Sequence, residues 1–392
     1  MSRGKCHIRP LPSLYREAGF HAAFPSLLAG PGGDALLAFR RAPDHRAFLA
    51  RDAEGPALDR VDHLHFRSHI ALLRLDREGH PTEPPRTAPQ DPRLADQDPS
   101  LFVAPGGAIG QLGFHWHPFA VDDEDLDPAI LKQSRRPVAG GPRYMSWHAY
   151  ARISPDFGHT WGPRQSFGPD PLVPPLVPPS RPGTANVRGR VAALRGGRLL
   201  AATYASQLSG VGSAVRLYSS GNGLSWLVEG APVAHSKAKL VEPTLVNWPA
   251  GRITLLARTF SADDAIAVTM GGDRTADFAP VHLTGSARGH PVDPLVLPDG
   301  RLMLVYGYRH APYGVRFRLV SPLTDGGEPV ADGAGLVAAI DHAPEHIITD
   351  RVPSPDCGYP SAALMADGRV LVAWYAPDEG GVRGIDAALV SP

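Results

Sequence analysis

The octet SPDFGHTW, from Ser154 to Trp161, constrains the fold of this chain more than any other stretch. In a turn of this composition Asp156 bonds the backbone of its own turn, Gly158 adopts a positive φ, and Trp161 packs back onto the following strand. Such tight turns join short strands in repeated β-architectures. The octet therefore predicts that the chain is built from repeats.

A strand, a glycine-centred turn and a second strand occur together six times, and each copy predicts a β-hairpin. The six copies are Phe24 to Phe39, Asp98 to Phe114, Arg188 to Tyr204, Glu242 to Arg258, Asp293 to Tyr308 and Tyr359 to Tyr375. A further apolar strand and turn follow each hairpin; the turn after the second copy is the octet. Six units of about four short strands predict an all-β, six-bladed β-propeller, in which radial repetition leaves only short sheet edges.

We expect a single domain over residues 1–392, because no composition break divides the sequence. Its 42 Gly and 42 Pro fit a fold with many turns. The long loops 40–68, 115–147, 163–186 and 322–358 are expected to form a rim around one face. The last unit is short of strands, so the stretch Ile8 to Tyr15 is expected to supply its outer strand.

Charge and cysteine content exclude several classes of protein. The net charge is zero, which argues against a sequence-independent nucleic-acid binder. Cys6 and Cys357 are the only cysteines, so the sequence excludes a disulfide framework and favours free thiols in a reducing compartment. No apolar run follows the N-terminal charges, and no segment approaches the roughly 18 apolar residues of a membrane span. The sequence predicts a cytoplasmic protein with no membrane partner.

Polar residues recur where the first strand of each unit begins, and in a propeller these strands line the central axis. The positions are His21, Asp98, Arg188 or Arg190, Glu242, Asp293 and Tyr359. Ionisable groups at equivalent positions favour a binding site over a solvated channel lining. Asp98 and Asp293 each precede a proline, so turn capping is an alternative for them. Glu242 heads an apolar strand, where an unpaired carboxylate is costly; Arg258 on the return strand could pair with it or with an anion.

Two histidine-rich tracts raise the question of a metal ion. The runs DHLH from Asp62 and FHWH from Phe114 each place two histidines on one side of an extended chain, where they could share an ion. Neither tract has a third ligand at a fixed spacing. We therefore expect no metal and no other cofactor.

The Asp box of the octet, the six hairpins and a Glu–Tyr pair resemble the sialidase (neuraminidase) superfamily of glycoside hydrolases. The run EPTLV from Glu242, with LAR ending at Arg258, is similar to the family hairpin that opens on a Glu and returns to a substrate-binding Arg. The run GYPSA around Tyr359, followed by Asp367 and Gly368, is similar to the context of the family nucleophile. The resemblance implies Tyr359 as nucleophile and Glu242 as its base partner.

The same resemblance implies an acid/base residue and a further arginine. Asp62, ahead of the third strand of the first unit, best matches the family's acid/base Asp, and Asp44 is the second choice. The third family arginine falls at Arg309 or Arg316, of which Arg309 is preferred.

One position departs from the family pattern. Ala23 stands where the family has its first arginine, and Arg40 or Arg41, at the end of the same hairpin, could substitute for it. Arg188 and Asp98 are expected to line the pocket beside the other site residues.

The resemblance implies an exo-acting hydrolase for a terminal acidic sugar of ulosonic or uronic type, in a small-molecule or oligosaccharide substrate. A sugar with a carboxylate on its anomeric carbon repels a carboxylate nucleophile, whereas a neutral tyrosine activated by a Glu avoids that repulsion. Arginine side chains would clamp the substrate carboxylate. The alternative is a non-catalytic Asp-box propeller that binds a glycan or a protein. The loss of the first arginine favours this alternative, and the retained Glu–Tyr pair counts against it.

Overall fold

The computed structural model describes residues 6–392 except 45–63, 120–127, 138–140, 174–184, 209–210, 249–251, 261–262, 273–276, 279, 325–326 and 328. These residues form six antiparallel sheets that follow one another around a ring. The predicted all-β, six-bladed propeller is confirmed. Neither helix in the described part of the chain is long and apolar enough to cross a membrane.

Each blade is an antiparallel meander that begins near the axis and runs outward. The first strand of the chain, β1 (His7–Pro10), belongs to the last blade. Blade 1 consists of β2 (Phe20–Ala29), β3 (Ala35–Pro43), β4 (His69–Leu75) and β5 (Arg86–Thr87). Blade 2 consists of β6 (Ala95–Val103), β7 (Ile109–Phe119), the short β8 (Ser134–Arg135), β9 (Arg143–Ser154) and β10 (Gln165–Ser166). Blade 3 consists of β11 (Asn186–Val187), β12 (Ala192–Ala193), β13 (Leu199–Leu208), β14 (Gly212–Ser220) and β15 (Leu227–Val233).

The second half of the ring is more regular. Blade 4 consists of β16 (Leu240–Trp248), β17 (Arg252–Thr259), β18 (Ala265–Gly272) and β19 (His282–Arg288). Blade 5 consists of β20 (Val292–Val296), β21 (Leu302–Tyr308), β22 (Tyr313–Val320) and β23 (Glu345–Val352). Blade 6 consists of β24 (Gly358–Leu364), β25 (Val370–Pro377), β26 (Arg383–Ser391) and β1. Among the described residues, two α-helices interrupt the strands: α1 (Pro128–Gln133) and α2 (Gly333–His342).

The N-terminal strand completes blade 6. In β1, His7 pairs with Ser391 and Pro10 pairs with Ala388 of β26. Further along, the backbone amide of Ile385 donates to the carbonyl of Tyr15 over 2.7 Å. Strand β1 therefore occupies the outer position that the repeat pattern leaves empty in the last unit.

Apolar side chains form the core between neighbouring blades. Phe39 and Leu73 of blade 1 share one buried cluster with Leu371 and Ile385 of blade 6. Such burial is worth about 1.5–3 kcal/mol for each large side chain, and it fixes each blade against the next. The inner strands are therefore rigid supports for the residues at their ends.

The octet forms the turn between β9 and β10, at the outer part of blade 2. Asp156 accepts hydrogen bonds from the amide and hydroxyl of Thr160, both at 2.7 Å, and the amide of Gly158 donates to Ser154 Oγ over 2.8 Å. Gly158 has a φ of 84°, as the turn requires. The octet thus supports the fold and lies away from the axis.

The long loops divide between both ends of the ring, which corrects the expectation of a rim on one face. The connections after β3, β7 and β10 leave the end where the inner strands begin. In the 322–358 segment, by contrast, α2 stands between the third and fourth strands of blade 5 and so lies at the opposite end. Asp332 caps this helix by accepting from the amide of Gly335 over 2.8 Å.

Four of the inner strands share one local distortion. Phe24, Asp98, Glu242 and Tyr359 each have a φ between 39° and 58° and each directly precedes a proline. At each of them the pairing with the second strand of the blade shifts register. A bulge of this kind re-aims the bulged side chain, and its left-handed backbone stores strain, which structures often retain at functional sites.

Below these bulges an ion pair crosses the axis. Arg190 of blade 3 donates from Nε and Nη2 to the carboxylate of Asp293 in blade 5, over 2.7 and 2.6 Å. Asp293 also accepts from the amide of Ala362 in blade 6 over 2.7 Å, and Arg190 donates to the carbonyl of Ala362. Little open volume remains here, about 30 Å³ in a space that Arg190 and Asp293 help to line. The pair therefore obstructs the channel beneath the site.

Candidate active site

A tyrosine and a glutamate from different blades meet at the bulged positions. The hydroxyl of Tyr359 in blade 6 donates a hydrogen bond to Oε1 of Glu242 in blade 4. Nη1 of Arg258 lies 3.1 Å from the other oxygen of Glu242 and 3.4 Å from the Tyr359 hydroxyl. All three residues are buried. The structure thus brings together three residues that the sequence predicts as one site.

Two more guanidinium groups flank the tyrosine. The Cζ atom of Arg188 lies 4.4 Å from the centre of the Tyr359 ring, and that of Arg309 lies 5.3 Å from it. Arg188 lies in the segment that connects β11 to β12, and Arg309 directly follows β21. Three arginines from blades 3, 4 and 5 therefore surround one tyrosine, which is an arrangement suited to an anion.

Glu242 and Tyr359 differ in charge state, because their surroundings shift the pKa values of the two groups in opposite directions. Desolvation by itself would raise the pKa of Glu242, but the positive charges of Arg258 and Arg188 outweigh it and hold that pKa below its usual value. Desolvation and the Glu242 carboxylate raise the pKa of Tyr359 far above its usual value. At neutral pH an ionised Glu242 therefore accepts from a protonated Tyr359.

Arg309 is held in place by a chain of polar contacts. Its Nε donates to the carbonyl of Cys357 and its Nη2 donates to the hydroxyl of Tyr375, both over 3.0 Å. Tyr375 in turn donates to Oδ1 of Asp356 over 2.7 Å, and Arg383 donates to the other oxygen of that carboxylate. Desolvation opposes ionisation of Asp356, but Arg383 and its other partners hold its pKa well below the usual value. Asp356 therefore anchors the chain as an anion.

Asp98 and Tyr204 lie on the side of the site formed by blades 2 and 3. Asp98 is buried at its bulge, and desolvation together with the charges of Asp98 and Glu242 raises the pKa of Tyr204 well above its usual value. Asp98 also contributes to the raised pKa of Tyr359. The predicted pocket residue Asp98 is thus close enough to interact electrostatically with the Glu–Tyr pair.

The structure does not bring Arg41 into this group. Its guanidinium contacts the hydroxyl of Tyr15, bonds Glu17 over 2.7 Å and stacks on Phe20 at 3.7 Å, so it binds the N-terminal segment instead. Strand alternation explains this placement, since Arg40 and Arg41 point to opposite faces of β3. The proposed substitution of Arg41 for the first family arginine is therefore not supported by its position.

The neighbouring Arg40 is fully buried but is also engaged elsewhere. It donates from Nε to Ser68 over 2.9 Å, and its Nη1 lies 3.2 Å from Nδ1 of His21. Ala23, which replaces the first family arginine, has no exposed surface.

The remaining predicted residues lie elsewhere. Asp62 lies outside the described residues, and Asp44 is buried at the end of blade 1, where its amide donates to the carbonyl of Gly19 over 2.8 Å. Arg316 stacks on Tyr308 and pairs with Glu345 at the outer part of blade 5. Of the two arginines considered for the third position, Arg309 is the one beside Tyr359.

The second histidine tract has structural partners. Nε2 of His115 lies 3.3 Å from the buried carboxylate of Asp96 and 2.8 Å from Arg164, and its ring stacks on Tyr150 at 4.3 Å. His63 of the first tract lies outside the described residues. Within the described part of the chain, no group of three or more His, Cys, Asp or Glu side chains could hold a metal ion.

Sequence reasoning missed two tyrosines at the site, although a signal for them exists. Tyr204, Arg258 and Tyr375 each stand sixteen positions after the first residue of their hairpin. In the structure Arg258 pairs with Val241 and Tyr375 pairs with Gly358, next to the bulged residues. The rule that identifies Arg258 from Glu242 would therefore also have found Tyr204 and Tyr375.

Comparisons with known proteins agree with this architecture. A six-bladed propeller whose bulged inner strands carry a Glu–Tyr pair, with three arginines around the tyrosine, is a sialidase-like propeller. The model of the BNR repeat-like domain matches residues 115–372, so the chain belongs to this family. No curated protein matches the sequence.

Three solved structures are similar to the chain over nearly its whole length. A protein of unknown function from Dyadobacter fermentans is 27% identical, with a TM-score of 0.79, and 98% of each chain is covered. The NanB sialidase from Streptococcus pneumoniae is 12% identical, with a TM-score of 0.61, over 97% of this chain and 70% of that one. A leech intramolecular trans-sialidase is 13% identical, with a TM-score of 0.55, over 95% and 70%. At 12% and 13% identity, the similarity to the last two proteins shows a shared fold alone.

Proposed function

We propose that the protein is an exo-acting glycoside hydrolase that removes a terminal acidic sugar, with Tyr359 as nucleophile and Glu242 as its base. The observation that carries this proposal is the hydrogen bond from the Tyr359 hydroxyl to the ionised Glu242. A neutral nucleophile paired with an anionic base suits a sugar that itself carries a carboxylate on its anomeric carbon.

The three arginines supply the charge that such a substrate needs. Arg188, Arg258 and Arg309 contribute three positive charges around Tyr359, against the two carboxylates of Glu242 and Asp98. Ala23 stands where the family has its first arginine, and Arg188 of blade 3 supplies a third cation in its stead. We therefore propose an acidic sugar of ulosonic or uronic type held by these guanidinium groups.

The proposed reaction runs in two displacements. The Tyr359 oxygen attacks the anomeric carbon while its proton passes to Glu242, and Asp62 protonates the departing glycosidic oxygen. Water then attacks the anomeric carbon and gives a proton to Asp62, the bond from that carbon to the Tyr359 oxygen breaks, and the proton on Glu242 returns to Tyr359. The channel obstruction by Arg190 and Asp293 supports entry from one end, as an enzyme acting on a terminal residue requires.

The test is hydrolysis of aryl glycosides of sialic acid, 3-deoxy-octulosonate and glucuronate by the wild type and by Tyr359→Phe and Glu242→Gln. Removing the nucleophile or the base should lower kcat by at least about a hundredfold. Tyr306→Phe is the matched control, because Tyr306 also donates to a glutamate, Glu345, over 2.5 Å but in the outer part of blade 5. Full activity in both site variants would remove the assignment.

The second candidate is a non-catalytic propeller that binds an anionic glycan or a protein. It is favoured by the buried Ala23 in place of the first family arginine. Equilibrium binding of the same sugars without turnover, and with loss of binding in Arg309→Ala, would support this candidate over hydrolysis.

A further inference from the structure

A cluster of four residues at the junction of blades 4 and 5 lies outside the proposed chemistry. We call Phe260, Asp264, His290 and His310 the blade 4–5 rim. Phe260 follows β17, Asp264 precedes β18, His290 precedes β20 and His310 follows β21. Because adjacent strands alternate in direction, all four positions lie at the end of the ring where Glu242 begins its hairpin.

The polar part of this rim is a carboxylate held between two imidazoles. Oδ1 of Asp264 lies 2.6 Å from Nε2 of His290, and Oδ2 lies 2.9 Å from Nε2 of His310. Asp263 and Asp264 both have positive φ, 46° and 61°, a strained turn that the surrounding contacts must maintain.

The charge state of the rim follows from its surroundings. Desolvation and the nearby Arg258 lower the pKa of His290 to about 4, so this imidazole is neutral at pH 7 and donates from Nε2 to Asp264. Desolvation opposes ionisation of Asp264, but the bond from His290 and the neighbouring positive charges hold its pKa below the usual value. The rim thus presents a carboxylate and imidazole rings, which are groups that can form hydrogen bonds with the hydroxyl groups of a ligand.

The apolar part is the ring of Phe260. It is 61% exposed although it lies only two residues after Arg258, whose Cζ stands 4.6 Å from the centre of the ring. An exposed aromatic face beside hydrogen-bonding groups matches a sugar ring, which has an apolar face and a polar edge.

The chemistry of the substrate places its leaving group here. In a ulosonic acid glycoside the carboxylate and the glycosidic oxygen are attached to the same carbon. When Arg258 and Arg309 hold that carboxylate, the leaving group starts only two bonds away from it. The nearest exposed apolar surface among the described residues beside Arg258 is the ring of Phe260.

We propose that the blade 4–5 rim is a binding subsite for a neutral, hydroxyl-rich sugar that forms the leaving group of the substrate. One face of that sugar stacks on Phe260, and its hydroxyl groups bond to Asp264 and His310. This proposal rests on the proposed function, since it takes the acidic sugar to lie against the three arginines.

The experiment compares two glycosides of one acidic sugar, its methyl glycoside and its lactoside. The sugar is sialic acid or 3-deoxy-octulosonate, whichever the Tyr359→Phe variant binds more tightly by isothermal titration calorimetry, because in these ulosonic acids the anomeric carbon carries the carboxylate. The readout is the ratio of the two dissociation constants, which needs no turnover. It is measured for the Tyr359→Phe variant, which should not cleave either ligand, and for that variant combined with Phe260→Ala, with Phe260→Trp or with the control Leu227→Ala, whose residue is 66% exposed on the outer strand of blade 3.

The Tyr359→Phe variant should bind the lactoside more tightly than the methyl glycoside. Phe260→Ala should reduce this preference about two- to tenfold, the effect expected of one lost stacking contact, with little change in binding of the methyl glycoside. Phe260→Trp should keep the preference, and Leu227→Ala should not alter it.

An unchanged preference in Phe260→Ala would overturn the subsite while leaving the proposed function standing. A chain that binds none of the three acidic sugars would overturn both. Binding with an intact lactoside preference but no turnover by the wild type would refute hydrolysis and still support the subsite.

Discussion

Breaking the ion pair across the axis should destabilise the whole ring. Asp293→Ala removes a carboxylate that accepts two hydrogen bonds from Arg190 and one from the amide of Ala362. Removing one partner of a buried pair costs about 3–5 kcal/mol because the other charge stays behind. The side chain of Arg190 is 26% exposed and that of Asp293 only 9%. Because water can partly rehydrate Arg190 in the variant, we expect a cost of about 3 kcal/mol.

This free energy converts into a measurable shift in Tm. Unfolding entropy is about 2.1 cal/mol/K per residue, or roughly 0.8 kcal/mol/K for this chain, so Asp293→Ala should lower the Tm by about 4 °C. Differential scanning calorimetry measures the shift, and urea unfolding gives the free energy independently. The control is Asp299→Ala, which breaks an exposed pair with Arg301 and should cost less than about 1 kcal/mol.

A double-mutant cycle isolates the pair itself. Asp293→Ala, Arg190→Ala and the double variant should show a coupling free energy of about 2 kcal/mol, since the residues contact each other directly. A coupling near zero, or equal Tm shifts for Asp293→Ala and Asp299→Ala, would refute the view that this pair ties blades 3, 5 and 6 together.

Three further predictions concern the site. Arg258 and Arg188 lower the pKa of Glu242, so the acidic limb of a pH–kcat profile that reports this base should lie below pH 4.5. Glu242→Gln should remove that limb, and an unchanged limb in the variant would contradict the assignment. Tyr375→Phe deletes the hydroxyl that accepts the hydrogen bond from Nη2 of Arg309, so KM for an acidic sugar should rise about tenfold with a much smaller change in kcat. A fall in kcat as large as the rise in KM would contradict a positioning role. The pKa of His290 is lowered to about 4 in the folded protein, so between pH 6.5 and 4 the unfolded chain binds a proton that the folded chain does not, and stability is lost as the pH falls through that window. Urea titrations should show that the free energy of unfolding of His290→Gln depends less steeply on pH in this window. An identical slope in the variant and the wild type would refute this prediction.

Much of the fold follows from local sequence rules. The glycine-centred hairpin occurs six times and the octet marks one of the turns that follow it, and these are enough to count six blades and to align Glu242 with Tyr359. The division of the long loops between the two ends was harder to predict. Residues 322–358 look like other loops in composition, yet they hold α2, whose place depends on packing against blades 4 and 5.

The site was partly predictable for a related reason. Glu242, Arg258 and Tyr359 sit at repeat positions, so register alone brings them together. The contacts of Arg41 with the N-terminal segment were not predictable from register, because Arg40 and Arg41 lie on opposite faces of β3. The bond between Tyr375 and Arg309 depends on how blades 5 and 6 meet, which no local pattern in a single sequence describes.

The seam in blade 6 has a consequence for how the molecule assembles. The hydroxyl of Ser13 bonds the carbonyl of Ile385, 372 residues further along the chain, and β1 joins β26 beside it. The other blades form from strands that are neighbours in the chain, whereas this one must close the longest loop available, and loop-closure entropy grows with the logarithm of loop length. Contacts of such long sequence separation slow folding. We therefore expect the seam to form late and to be the place where the ring opens most easily, in the same blade that carries Tyr359.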